Sequence, residues 1–124
     1  SYGHDIGDFI LKECVVLLKE VFHREEDFVA RIGGEEFAVI LPNCPLEHAL
    51  VRAEEALAKI RNEVFVQDKL EIKFTVSMGI AQLLQNETTE QWLKRADSAL
   101  YLSKQTGRNK YTVAPHVATI KNVA

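Results

Sequence analysis

The sequence is poor in cysteine: it has two, Cys14 and Cys44, too far apart to share a metal-ligand spacing. Cys14 falls on an apolar helical stripe and reads as a small core residue. Free thiols and no disulfide framework point to a reduced, cytosolic chain. The four histidines (His4, His23, His48 and His116) form no recognisable metal set, and Trp92, the single tryptophan, reads as core or interface. No apolar run approaches the length of a membrane span, and no signal peptide is visible. Large charge of either sign is also lacking. The formal net charge of −3 gives no reason to expect a nucleic-acid polymer or a membrane surface as a partner.

What is present is local. Residues 24–36 are mostly acidic, whereas Lys94, Arg95, Lys104, Arg108 and Lys110 face only Asp97 over 94–110. With 124 residues the chain is the size of one domain. Apolar residues at Ile6, Ile10, Cys14, Leu17, Leu18 and Val21 predict a helix to Phe22. Asp8 stands at its expected start, where the helix dipole favours an acid. The runs Phe28–Ile32 and Phe37–Leu41, joined through Gly33-Gly34, predict a hairpin. Pro45 opens a second helix, with Leu46, Leu50, Ala53, Leu57, Ile60 and Val64 on one side. Leu70–Ala81 alternates as one strand, or as two broken at Lys69–Ile72. Thr88-Thr89-Glu90-Gln91 fits a capping box for a third helix, whose inner side is Trp92, Leu93, Ala96, Ala99, Leu100 and Ser103. Gly107 is placed to cap its end, and Tyr111–Val113 is a last short strand. The fold class expected is α+β, an antiparallel-rich sheet with helices packed on its faces. Residues 1–113 form the domain, and a loose tail runs from 114 to 124.

The hairpin turn poses the chemical question. Gly33-Gly34 serves a tight turn for conformational reasons alone. Glu35-Glu36 adds two carboxylates, which need not cooperate, because successive strand residues face opposite ways. Facing a phosphate they would repel it. A magnesium ion reverses the sign by bridging carboxylate and phosphate oxygens. The turn therefore makes sense as half of a metal–nucleotide site, with cations elsewhere completing it. Lys104 and Arg108 are the candidates, at spacing four if the helix reaches that far. Two surface cations complementing a helix C-terminus are the plainer reading of that pair.

Five segments, taken together, resemble a known family. "YGHDIGD" (Tyr2–Asp8), "RIGGEEF" (Arg31–Phe37), "TVSMGIA" (Thr75–Ala81), "RADSALYLSK" (Arg95–Lys104) and "GRNKY" (Gly107–Tyr111) occur in the order and register of the GGDEF domain. The resemblance implies a nucleotidyl-cyclase, ferredoxin-like palm and diguanylate cyclase activity. Two GTP would condense to cyclic di-GMP and two pyrophosphates, each held by one subunit of a homodimer, with Mg2+ (or Mn2+) as cofactor. By position, Glu35 resembles the metal-binding acid of the signature and Glu36 the second acid at the reaction centre. Gly33 and Gly34 would admit the α-phosphate and ribose. Lys104 and Arg108 resemble the terminal-phosphate ligands. Asp8 resembles the carboxylate that accepts guanine's N1–H and N2–H together, a pair that adenine does not offer.

Arg24 and Asp27 match the RxxD that, in the family, binds cyclic di-GMP as a feedback inhibitor. The plainer reading is a charged loop. Glu55 stands where some relatives place a second arginine, which puts strong inhibition in doubt. The family's first central strand and following loop, resembling DxDxFKxxND, have no counterpart here. The expectation is therefore a domain lacking that strand: inactive alone, prone to self-association, and joined in its parent to an upstream sensory or receiver domain. Val117–Ile120 is β-prone enough to repair the sheet. The other functional expectation is a catalytically silent module that binds GTP or cyclic di-GMP to regulate a partner.

Overall fold

The computed structural model describes residues 2–33 and 36–115, and side chains within 7–30 and 36–115. The order of elements is α1 (Tyr2–Val21), β1 (Phe28–Gly33), β2 (Glu36–Ile40), α2 (Leu46–Asn62), β3 (Phe65–Gln67), β4 (Leu70–Ile72), β5 (Met78–Ile80), α3 (Thr89–Gln105) and β6 (Tyr111–Val113). The chain divides into two compact units, Ser1–Thr75 and Val76–Ala124.

In the first unit, α1 and α2 bury one face each. Ile10, Leu11, Cys14, Leu18, Val21 and Phe22 come from α1 and its end, and Ala53, Ala56, Leu57 and Ile60 from α2. The spacing is that of single helical stripes. Small alanines on α2 let the two helices approach, and Ile60 and Cys14 have no exposed surface. Arg52 of α2 donates to the Val21 carbonyl at 2.7 Å, satisfying an acceptor that the end of α1 leaves open. β1 and β2 form the expected antiparallel hairpin, with Phe28 opposite Ile40 and Ala30 opposite Ala38.

The long alternating run differs from expectation. Val64 has left α2, and Phe65 opens β3, which pairs antiparallel with β4. Asp68 and Lys69 connect them, both with positive φ, 52° and 69°. That is the backbone of a two-residue hairpin turn whose twist matches its strands. Residues 73–77 lie outside any strand, and β5 belongs to the second unit. Side-chain alternation persists across this stretch, but the backbone changes partners. Pattern alone reports the first and not the second.

In the second unit, β5, α3 and β6 make a β–α–β crossover. The two strands are therefore parallel, with Met78 beside Tyr111 and Ile80 beside Val113. The antiparallel-rich arrangement expected thus includes one parallel pair, because α3 supplies the connection a parallel pair needs. Gly79 faces α3 so closely that a Cβ would lie 2.1 Å from the Ala96 carbonyl oxygen and 2.3 Å from the Leu100 nitrogen. The capping box of α3 is present. Thr88 Oγ1 accepts from Gln91 N at 3.1 Å and Gln91 Oε1 accepts from Thr88 N at 3.0 Å. Trp92 donates to the Ala81 carbonyl at 2.7 Å, and Ala99 and Ser103 are buried. Leu93, expected inside, is half exposed. Ala114 is buried and donates to the Ile80 carbonyl at 2.7 Å, so the chain stays anchored beyond the expected end at 113. The rest of the tail, with Val117–Ile120, lies outside the described residues.

Candidate functional site

The signature turn sits at the tip of the β1–β2 hairpin. Arg31 pairs with Phe37, but Gly33 pairs with Glu36, so one extra residue is taken up between Arg31 and Gly33. A bulge of this kind bends a strand and re-aims the side chains beside it. Gly33 ends β1, and Glu36 opens β2 with its side chain exposed. Gly34 and Glu35 lie outside the described residues. Of the two expected acids, the structure thus places Glu36, directly opposite Gly33.

Asp8 lies in the second turn of α1, because the helix begins at Tyr2 rather than Ile6. A dipole role for it weakens, since that effect fades within the first turn. Its carboxylate is 3.2 Å from Lys12 Nζ, an exposed i,i+4 pair. Such a pair is worth little in water.

Arg24 and Asp27 form a knot after α1. Asp27 Oδ2 accepts from Arg24 N at 3.0 Å, and Asp27 Oδ1 accepts from Arg24 Nε at 2.8 Å. Arg24 Nη2 also donates to the Pro42 carbonyl at 2.8 Å, and Nη1 is 3.4 Å from Glu26. The Asp27 side chain is only 2% exposed. The hydrogen bond to Asp27 raises the pKa of Arg24 above its already high value. This locks the charged fork in place and ties the loop to the end of β2. A cavity of about 300 Å³ opens beside it, lined in part by Phe22, Asn43, His48 and Arg52. A ligand gripping Arg24 there would compete with Asp27 and Pro42 for the same donors.

Lys104 and Arg108 belong to the second unit. α3 ends at Gln105, so they do not share a helical face as spacing four suggested. Instead Gly107, with φ of 121°, reverses the chain, and Arg108 N donates to the Ser103 carbonyl at 2.9 Å. That is a Schellman-type end. Lys104 is half buried in the last turn, and Arg108 is exposed just beyond it.

Sequence reasoning missed a second ion pair. Arg95 Nε reaches Glu87 Oε2 at 2.6 Å, and Arg95 Nη2 reaches Glu87 Oε1 at 3.0 Å. Glu87 also accepts from Leu84 N at 3.0 Å, and Arg95 Nη2 donates to the Gln82 carbonyl. Hydrogen bonds from Arg95 and Leu84 hold the Glu87 carboxyl below its ordinary range. This pair pins the loop between β5 and α3. Glu87 lies in the loop just before the cap of α3, outside any regular element, so no periodic pattern signals the pair. Glu87 and Arg95 themselves border a cavity of about 700 Å³, together with Leu84, Leu102, Val113 and Pro115. Among the described residues no group of three or more His, Cys, Asp or Glu side chains converges as a cation site. No helix among them is long and apolar enough to cross a membrane.

Three comparisons bear on this arrangement. A family model described as "Diguanylate cyclase, GGDEF domain" matches residues 1–110. The chain is 36% identical over 115 residues to Diguanylate cyclase A of Treponema denticola, covering 92% of this chain and 31% of that protein. Among solved structures it resembles the GGDEF domain of DgcB from Caulobacter crescentus in complex with c-di-GMP. The TM-score is 0.85 at 32% identity, over 91% of this chain and 67% of that one. It also resembles the active GGEEF domain of a diguanylate cyclase from Vibrio cholerae. There the TM-score is 0.80 at 29% identity, over 93% of this chain and 72% of that one. The chain spans less than a third of the length of the Treponema relative.

Proposed function

Because this chain belongs to the GGDEF domain family, we propose that the protein carrying it is a diguanylate cyclase, joining two GTP into cyclic di-GMP with release of two pyrophosphates. The observation that carries the reading is the signature itself. Gly33-Gly34-Glu35-Glu36-Phe37 spells GGEEF, the motif that names the active Vibrio cholerae domain.

In this reading Glu35 is the metal-binding acid, and Glu36 is the second acid at the reaction centre. Gly33 and Gly34 leave room for phosphate and ribose, Asp8 accepts from guanine, and Lys104 and Arg108 hold the terminal phosphates. The donor chemistry of the turn suits Mg2+ or Mn2+, which take carboxylate oxygens. The exposed Glu36 carboxylate beside the hairpin tip is such a donor. When bound, the ion supplies neutralisation of phosphate charge. The chain's own share is positioning. The bulged hairpin sets Glu36 opposite Gly33, and the reversed end of α3 presents Arg108, whose planar fork suits phosphate oxygens. Catalysis requires two such domains in a homodimer, each offering one GTP, brought together by an upstream sensory or receiver domain. Arg24 and Asp27 serve as a feedback site for cyclic di-GMP, the ligand held by the DgcB neighbour.

GTP turnover by the full-length protein, wild type against Glu35→Ala, tests the reading. Loss of about two to three orders of magnitude in cyclic di-GMP formation is expected, as when a group that stabilises transition-state charge is removed. Equal rates would remove Glu35 from the chemistry. A silent module would bind cyclic di-GMP and turn over no GTP in either form. Retention of both signature acids and both cations favours the enzyme.

A further inference from the structure

We propose that Ser103 is a positioning residue for Arg108, resting on the reading that Arg108 grips the terminal phosphates of GTP. Ser103 is fully buried, the only polar residue so placed among the described residues. Its hydroxyl donates to the Met78 carbonyl at 2.7 Å. That uses its one proton, so the Thr112 hydroxyl, 2.7 Å away, is the donor to Ser103. The result is a directed chain, Thr112 to Ser103 to Met78, that ties α3 to both strands beside it. The carbonyl of the same residue accepts Arg108 N at 2.9 Å. One buried position thus fixes the helix end and receives the backbone of the arginine.

Arg108 needs such support. Gly107, Arg108 and Asn109 all have positive φ, at 121°, 61° and 50°. A left-handed conformation is costly for a long side chain, and it persists only where its surroundings over-determine it. The far side of the turn is held as well. Asn109 N donates to Ser77 Oγ at 3.2 Å, and Met78 N donates to the Lys110 carbonyl at 2.9 Å. Met78 is therefore held through its nitrogen by Lys110 and through its oxygen by Ser103. Arg108 stands at the apex of a closed ring whose hub is a hydroxyl. A loose Arg108 would still carry its charge, but would meet phosphate over many orientations.

The test is binding of α,β-methylene GTP and of GMP, each with magnesium, to the full-length protein by competition. Ser103→Ala is expected to weaken the triphosphate analogue about five- to tenfold, the scale of one lost hydrogen-bond anchor. GMP, which lacks the terminal phosphates, should bind as before. Thr112→Val should weaken the analogue in the same selective way and Thr112→Ser should restore it, which keeps the test open should Ser103→Ala fail to fold. The double variant with Arg108→Ala should bind no worse than Arg108→Ala alone. Equal losses for GMP and the analogue, or additive losses in the double variant, would overturn the positioning role while leaving the phosphate grip intact. No effect of Arg108→Ala on the analogue would overturn the grip, and the role of Ser103 with it.

Discussion

Gly79 shows how much one residue decides. Nothing in the alternating run singles it out as special, since glycine there reads as one more small residue on a polar face. The structure puts it against the backbone of α3 with no room for even a methyl group. Gly79→Ala is expected to force β5 and α3 apart and to cost about 1–3 kcal/mol, the usual scale for overpacking. Urea unfolding of the variant measures it, and an unchanged midpoint would mean that the strand sits farther from the helix. Cys14 is the opposite case, where the sequence sufficed. Its place on the apolar stripe announced burial, and burial, with Glu13 adding a smaller effect, raises its thiol to about 11. A thiol so placed is inert. Alkylation of the folded protein at neutral pH should modify the half-exposed Cys44 and spare Cys14, with Cys14 reacting only after denaturation. Early labelling of Cys14 would show that α1 is not packed as described.

Elements were legible in proportion to how local their causes are. The capping box of α3 is written in four consecutive residues, and both of its hydrogen bonds form. Thr88→Ala should cost about 1 kcal/mol of stability, the typical value of a lost N-cap, read from thermal or urea melts. The hairpin of the signature was equally plain, because its glycine pair and flanking apolar runs lie within one turn of chain. β3 and the parallel β5–β6 pair were not, because partner choice depends on residues far off in sequence. The loop between β5 and α3 depends on the Glu87–Arg95 pair in the same long-range way. Its pH dependence follows from the depressed Glu87 carboxyl. The stabilisation is complete above the ordinary carboxyl value of 4.5 and is lost as pH falls through the lower value in the folded state. Glu87→Gln should remove that acid-side slope. A variant melting with the same slope between neutral and acid pH as the wild type would mean that the pair is not held in solution.

For the molecule as a whole, the family match runs over residues 1–110 and so takes in most of both compact units. The register of five short motifs was visible in the sequence. How the residues they name are held was not. Arg24 is the clearest instance. The RxxD pattern suggested a ligand site, but the structure shows the arginine committed to Asp27 and the Pro42 carbonyl. Cyclic di-GMP would have to displace those acceptors, exchanging charge-assisted hydrogen bonds for others of similar strength. Inhibition through this site should then be weaker than a preformed pair of arginines would give, and Glu55 offers no second cation nearby in the sequence. In the full-length protein, Arg24→Ala should raise the concentration of added cyclic di-GMP needed to halve the rate of GTP turnover only modestly, by about two- to threefold, because the bonds gained from the ligand replace bonds of similar strength. The comparison is the ratio of inhibited to uninhibited rate within each protein, so a change in basal turnover does not blur it. An identical ratio in wild type and variant would leave Arg24 as a strut between the end of α1 and the end of β2, and would place any feedback by product elsewhere.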